Sequence, residues 1–271
     1  MLLQGVIIEK KNLIQSKITE FLHSEIILEK PGVFKEENLI YEFEFKEIEK
    51  KYETYRGELI TVKYSVIFII ETKLRNMKYE KEFVVINPIE EKMLNKEQKL
   101  RYKIENNKIK FLIDFPSKNI DYKSVIPGII TIKKLNNQNI DSIMIQIIKR
   151  ENINTSEKEK LPKPTIIASF EVLDGEIIEK EKIPFRLFLS AYSLTPSYFN
   201  IEKLYSINYY IAIIISDNEG NKFSEIKEIN LFRIITEQKI ENKYSDFVTA
   251  NLYYELNKSE KYFYGTDADE S

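Results

Sequence analysis

A hydrophobic period of two, repeated along most of the chain, limits the folds open to this sequence more than any other feature. In 206–215, "SINYYIAIII", the odd positions Ile207, Tyr209, Ile211, Ile213 and Ile215 form one apolar row. In 59–70, "LITVKYSVIFII", the even positions Ile60, Val62, Tyr64, Val66, Phe68 and Ile70 do the same, with Thr61, Lys63 and Ser65 opposite. In 143–150, Ile143, Ile145 and Ile147 share a side with Gln146 behind them. Successive side chains of a strand point to opposite faces, so this pattern is that of sheets packed on one side only. The same alternation in 41–45, "YEFEF", predicts a further half-buried strand. Shorter strands are expected at 25–29, 82–86, 109–115, 128–135, 166–173, 183–189 and 226–233, and the opening "MLLQGVIIE" reads as another. Helical periodicity is weak. Only 90–102 could form a short helix, and Met93 and Leu94 give it little apolar face.

Turn signals separate these runs: "KPG" at 30–32, "NNQN" at 136–139, "LDGE" at 173–176 and "SDNEGNK" at 216–222. The last reads as a hairpin loop, because Asp217, Asn218 and Gly220 all tolerate positive φ. Many short strands at this spacing with little helix indicate antiparallel sandwiches. A length of 271 residues fits two in tandem. Two asparagines interrupt the pattern in "IENNKIK", 104–110, and place the expected division there: a first sandwich over 1–105 and a second over 106–236. The polar stretch 151–164 reads as a long loop inside the second sandwich. Alternation fades after about 237, so 237–271 is expected to be a poorly ordered tail ending in the acidic "GTDADES".

Composition removes several classes of chemistry. The 41 basic and 43 acidic residues leave a net charge of -2, unlike the basic excess of a nucleic-acid binder. There is no cysteine, hence no disulfide, thiolate nucleophile or Cys-bound zinc. No run approaches the roughly 20 apolar residues of a membrane span. None of the GxSxG, Walker, GxGxxG or HExxH patterns occurs, and seven glycines leave little room for phosphate-cradling loops. His23 is the one histidine and reads as structural. The carboxylates Glu42 and Glu44 share a face as any wet strand would arrange them. Arg186, between apolar neighbours in "IPFRLFL", reads as a structural residue, either partly buried and hydrogen-bonded or pointing outward at period two. No catalytic, metal or cofactor site is expected.

The order of segments adds what single segments do not. "YEFEFKEIEKKYETYRG", "ITVKYSVIFII", "VIPGIITI", "IMIQIIKRE", "FEVLDGEIIEKEKIPFRLFLSAYSLTPSY" and "SINYYIAIIISDNEGNKFSEIKEINLFR" follow one another over about residues 4–235. This series resembles the vacuolar protein sorting-associated protein 26 family, the arrestin-like subunit of retromer, and Glu171–Pro196 is its most specific part. The resemblance implies an all-β, arrestin-like fold of two antiparallel β-sandwich domains in tandem and no enzymatic activity. It implies a subunit of the retromer cargo-recognition core, acting in retrograde endosome-to-Golgi and recycling transport of membrane proteins. Its expected partners are the helical solenoid subunit, vacuolar protein sorting-associated protein 35, and through it the metallophosphatase-like subunit. Sorting nexins and cargo tails are expected too, with a cytoplasmic location, peripheral on endosomes, and indirect membrane contact. The alternatives are the related subunit of a retriever-type recycling complex and a β-sandwich binding module outside trafficking. The match starts at what resembles an internal strand. The first sandwich is therefore expected to lack its initial strands and to carry an unpaired edge.

In the family, two adjacent apolar residues before an Asp-Gly turn dock the solenoid subunit. Here they are Val172 and Leu173, before Asp174 and Gly175. Aliphatic surface left in water costs about 25 cal/mol per Å², so such a tip suits burial in a partner. From the residues alone, one of the pair could instead face its own core, since "IIASFEVL" is an alternating strand end.

Overall fold

The computed structural model describes residues 1–10, 16–32, 40–90, 92, 98–153, 164–202 and 205–235. No α-helix occurs among them, and strands account for the regular structure. The all-β, arrestin-like class expected from the alternation and the resemblance is the class observed. The contacts form two compact units. The first draws on Met1–Arg56 and Ile60–Asn87, the second on Gly57–Leu59 and Pro88–Ile234.

The first unit contains strands β1 (Leu2–Lys10), β2 (Ser16–Glu25), β3 (Tyr55–Arg56), β4 (Ile60–Glu71) and β5 (Asn76–Phe83). They form one antiparallel sheet in the order β2-β1-β4-β3, with β5 also on β4. β2 and β4 flank β1, and β2 lies at the edge of this sheet. Leu3, Gly5 and Ile7 lie opposite Val66, Tyr64 and Val62, which builds one buried face from the two alternations. Phe21 is the extra residue of a β-bulge in β2 and lies over Gly5. A Cβ on Gly5 would meet its ring at 2.7 Å, so only glycine fits there. Phe21 stands edge-on to Tyr64 at 5.3 Å and to Tyr52 at 5.2 Å. The Tyr64 hydroxyl donates to the Tyr52 carbonyl at 2.7 Å, and burial pushes the phenol up to about 12. β4 departs from simple alternation, for Ser65 and Ile67 on its second face are buried as well.

The 41–45 segment is not a strand. Phe43 and Phe45 meet edge-to-face at 6.0 Å, and Phe43 is exposed. Alternation makes a strand possible, but only a neighbouring ladder completes its backbone hydrogen bonds. Of 25–29, only Glu25 is strand, as the last residue of β2. Of the short helix considered for 90–102, Glu91 and 93–97 fall outside the described residues, and Leu100 begins a strand.

The second unit contains β6 (Ile89–Glu90), β7 (Leu100–Glu105), β8 (Lys110–Phe115), β9 (Asn119–Asp121), β10 (Val125–Lys134), β11 (Ile140–Ile153), β12 (Thr165–Asp174), β13 (Lys182–Phe188), β14 (Tyr198–Ile201), β15 (Tyr205–Asp217) and β16 (Lys222–Phe232). The two main sheets are β13-β10-β8-β7, and β12-β11-β15-β16-β9 with β14 also on β15, while β6 pairs with the two-residue strand Ile234–Ile235. All pairings in them are antiparallel except β9 with β16. The isoleucine rows read from the sequence are the core: Ile143, Ile145, Ile147, Ile207, Ile211, Ile213 and Ile215 are 0% exposed. Phe111, Ile113, Ile130, Ile132 and Leu187 of the other sheet are equally buried. The Tyr102 hydroxyl donates to the Ile211 carbonyl at 3.0 Å, a buried bond between the two sheets.

The division expected at 105/106 falls instead inside the β7–β8 hairpin, and the contacts divide at Asn87/Pro88. Asn106 closes that hairpin. Its amide donates to Ile109 at 2.9 Å, and its side-chain oxygen accepts from the amides of Lys108 and Ile109 at 2.8 Å. Asparagine serves tight turns and linkers alike, so the residue type did not separate the two. The tail expected from 237 lies outside the described residues.

Candidate functional site

Val172, Leu173, Asp174 and Gly175 come together at the end of β12, an outer strand of its sheet. Ser142 lies opposite Asp174 and Ile143 opposite Leu173, but Met144 lies opposite Glu171. Val172 is therefore the unpaired residue of a β-bulge. A bulge interrupts strict in–out alternation and re-aims side chains. In a regular strand one of two adjacent aliphatics would enter the core and the other would face water. Here both Val172 and Leu173 are half-buried, and neither belongs to the core.

Beyond them the chain turns outward. Asp174, Gly175 and Glu176 are exposed. Gly175 sits at φ 116° with no atom within 4 Å of a built Cβ, so glycine is needed for the backbone angle and not for space. Its amide donates to the Asp141 carbonyl at 3.0 Å, which anchors the turn to the start of β11. The loop then carries Ile178, 75% exposed, before the Lys180 and Glu181 backbone rejoins β10 at Ile132. Ile178 was not singled out from sequence. The run "DGEIIEK" shows its apolarity but not that the loop leaves it uncovered. The tip combines an apolar patch with the exposed carboxylates of Asp174 and Glu176. It can bury surface against another molecule.

The remaining candidates occupy plain positions. Glu42 and Glu44 are exposed in the non-strand segment. His23 is exposed on β2, its Nδ1 2.7 Å from Glu20 and its Nε2 3.2 Å from Glu25. The hydrogen bond to Glu20 is the main reason its pKa is raised. Arg186 points outward from β13. Among the described residues no three His, Asp or Glu side chains could share a metal ion, and no helix is long and apolar enough to cross a membrane.

The fold itself defines the class, an all-β, arrestin-like protein of antiparallel sheets. Within that class, a sequence model of the family described as "Vacuolar protein sorting-associated protein 26" matches residues 5–220. The chain belongs to this family. It is similar to Vacuolar protein sorting-associated protein 26 of Schizosaccharomyces pombe, 29% identical over 224 residues, which cover 81% of this chain and 72% of the relative. It is also similar to Vacuolar protein sorting-associated protein 26B of Homo sapiens, 30% identical over 235 residues, covering 85% and 69%. A third relative is Vacuolar protein sorting-associated protein 26B-B of Xenopus laevis, 30% identical over 214 residues, covering 79% and 62%. The chain thus spans somewhat under two thirds to almost three quarters of the length of these relatives.

Proposed function

We propose that this chain is a non-enzymatic, arrestin-like subunit of a retromer-type cargo-recognition core, docking on a helical solenoid partner through Val172 and Leu173. The observation that carries this reading is the bulge at Val172 in a chain of this family. It leaves two adjacent aliphatics half-buried at a rigid, exposed Asp174–Gly175 turn. Covering them and Ile178 in a partner removes apolar surface from water at about 25 cal/mol per Å². Seated in a pocket of the partner, such a pair serves as the aliphatic anchor of an interface. Through the solenoid the subunit joins a metallophosphatase-like subunit, and with sorting nexins it selects cargo tails for retrograde and recycling transport. It works on the cytoplasmic side, peripheral on endosomes, with indirect membrane contact.

Co-purification with the solenoid subunit tests this directly. Leu173→Asp places a carboxylate in the buried patch and is expected to weaken capture by at least about tenfold with the chain still folded. Undiminished capture by this variant would remove the docking role. Recovery of a retriever-type solenoid instead would keep the fold and change the complex.

A further inference from the structure

The outer face of the four-stranded sheet carries a concave feature apart from the β12 tip. β10 pairs with β13 from Val125 to Thr131 but with β8 only from Ile129 onward. Two prolines account for the difference. Pro127 has no amide to donate toward β8, and Pro116 directly follows Phe115, the last residue of β8, where the chain leaves for β9 in the other sheet. The first residues of β10 therefore keep one neighbour, and a cleft of about 1170 Å³ opens beside them.

Its lining has two kinds of chemistry. Pro116, Pro127, Ile129 and Pro184 form apolar walls, and Phe115 and Phe185 show at the bottom. Phe185 packs over Gly128, where a Cβ would come within 2.2 Å of its ring, so the glycine shapes the floor. Ile129 is 46% exposed, and next along the sheet the cross-strand pair Val125 and Phe188 is 43% and 56% exposed. The charged lining is Lys99, Arg101, Arg186 and Asp114. Asp114 is taken by Arg101, whose Nε and Nη2 donate to it at 2.5 and 3.1 Å. Among the described residues Arg186 and Lys99 have no acidic partner. An apolar trough beside an incomplete strand edge, rimmed by surplus cations, is complementary to one kind of guest.

We propose that this cleft binds an extended acidic peptide of a partner protein, its aliphatic or aromatic side chains on Pro127, Ile129 and Pro184 and its carboxylates on Arg186 and Lys99. Pro127 gives no amide at this edge, so the peptide is held by its alternate side chains and its charges rather than by a backbone ladder. The test is fluorescence anisotropy of a labelled short peptide alternating glutamate with leucine and phenylalanine, titrated with the full chain at low salt. Saturable binding is expected. Arg186→Glu, Ile129→Asp and a glutamine version of the peptide should each weaken it by about three- to tenfold. Hydrogen exchange should slow at 125–129 and 184–188 when peptide is added. Should Arg186→Glu fail to melt like the parent chain, Arg186→Gln and the exchange map decide. Absence of saturation, affinity indifferent to both protein variants, or protection elsewhere on the chain would overturn the proposal.

Discussion

Two turns stand beside the start of β11 and use similar residues to opposite ends. The β15–β16 turn begins at Asp217 and bends at Gly220, φ 83°. The turn after β12 begins at Asp174 and bends at Gly175, φ 116°. Asp217 is 3% exposed and accepts hydrogen bonds from the Gln138 side chain at 2.8 Å and from the amides of Glu219 and Asn221 at 3.0 and 2.7 Å. Asn218 donates to the Asn139 carbonyl at 3.1 Å, a further tie to the "NNQN" turn. Asp174 is exposed, and its turn is held to β11 through the Gly175 amide. One turn is closed by a polar network. The other is left open, with Val172, Leu173 and Ile178 incompletely covered. An Asp and a Gly at a strand end therefore say where the chain turns, and the surroundings decide whether the turn is a closed clasp or an open tip.

The largest contrast should come from the two aspartates. Asp217→Ala leaves the buried Gln138 amide without its acceptor and should lower the melting temperature by about 5 °C, whereas Asp174→Ala should change it by about 1 °C or less. Equal losses in thermal melts would erase the distinction between clasp and open tip. Next come the glycines. Neither has an atom within 4 Å of a built Cβ, so alanine at either position costs backbone strain alone, about 1–2 kcal/mol by chemical denaturation. A markedly larger loss at Gly220 would mean that the polar network depends on that bend as well. The smallest effect is in acid. Burial raises the Asp217 pKa, but bonds from Asn221 and from the Asn221 and Glu219 amides outweigh it, and the net pKa lies below the usual 3.8. A carboxylate held below its unfolded value contributes fully above about pH 4 and loses that contribution as pH falls through the folded value. Asp217→Asn should therefore flatten the acid limb of the stability curve measured by denaturation at falling pH.

The same contrast separates what sequence could and could not show elsewhere. The rows Ile143–Ile147 and Ile207–Ile215 were legible because a strand with one buried face writes that face directly into every second residue. The segment 41–45 has the same writing and no ladder, because pairing depends on a neighbour that local pattern does not specify. Asn106 and Asn107 looked like a linker and close a hairpin. The Val172–Gly175 tip was found by resemblance, yet the question of which aliphatic faced the core dissolved only with the bulge, which depends on register against Ile143 and Met144. The cleft was not legible at all. Pro116, Pro127 and Arg186 are scattered over some 70 positions and meet only because β8, β10 and β13 share a sheet.

By itself the sequence determined an all-β chain, the residues of its main core rows and its membership of a sorting-protein family, because alternation and segment order are properties of the chain read in one dimension. Tertiary structure alone decided the extent of each compact unit, the bulge that leaves two adjacent aliphatics half-buried, and the cleft between two prolines. Each of these depends on which strand lies beside which, and at what register.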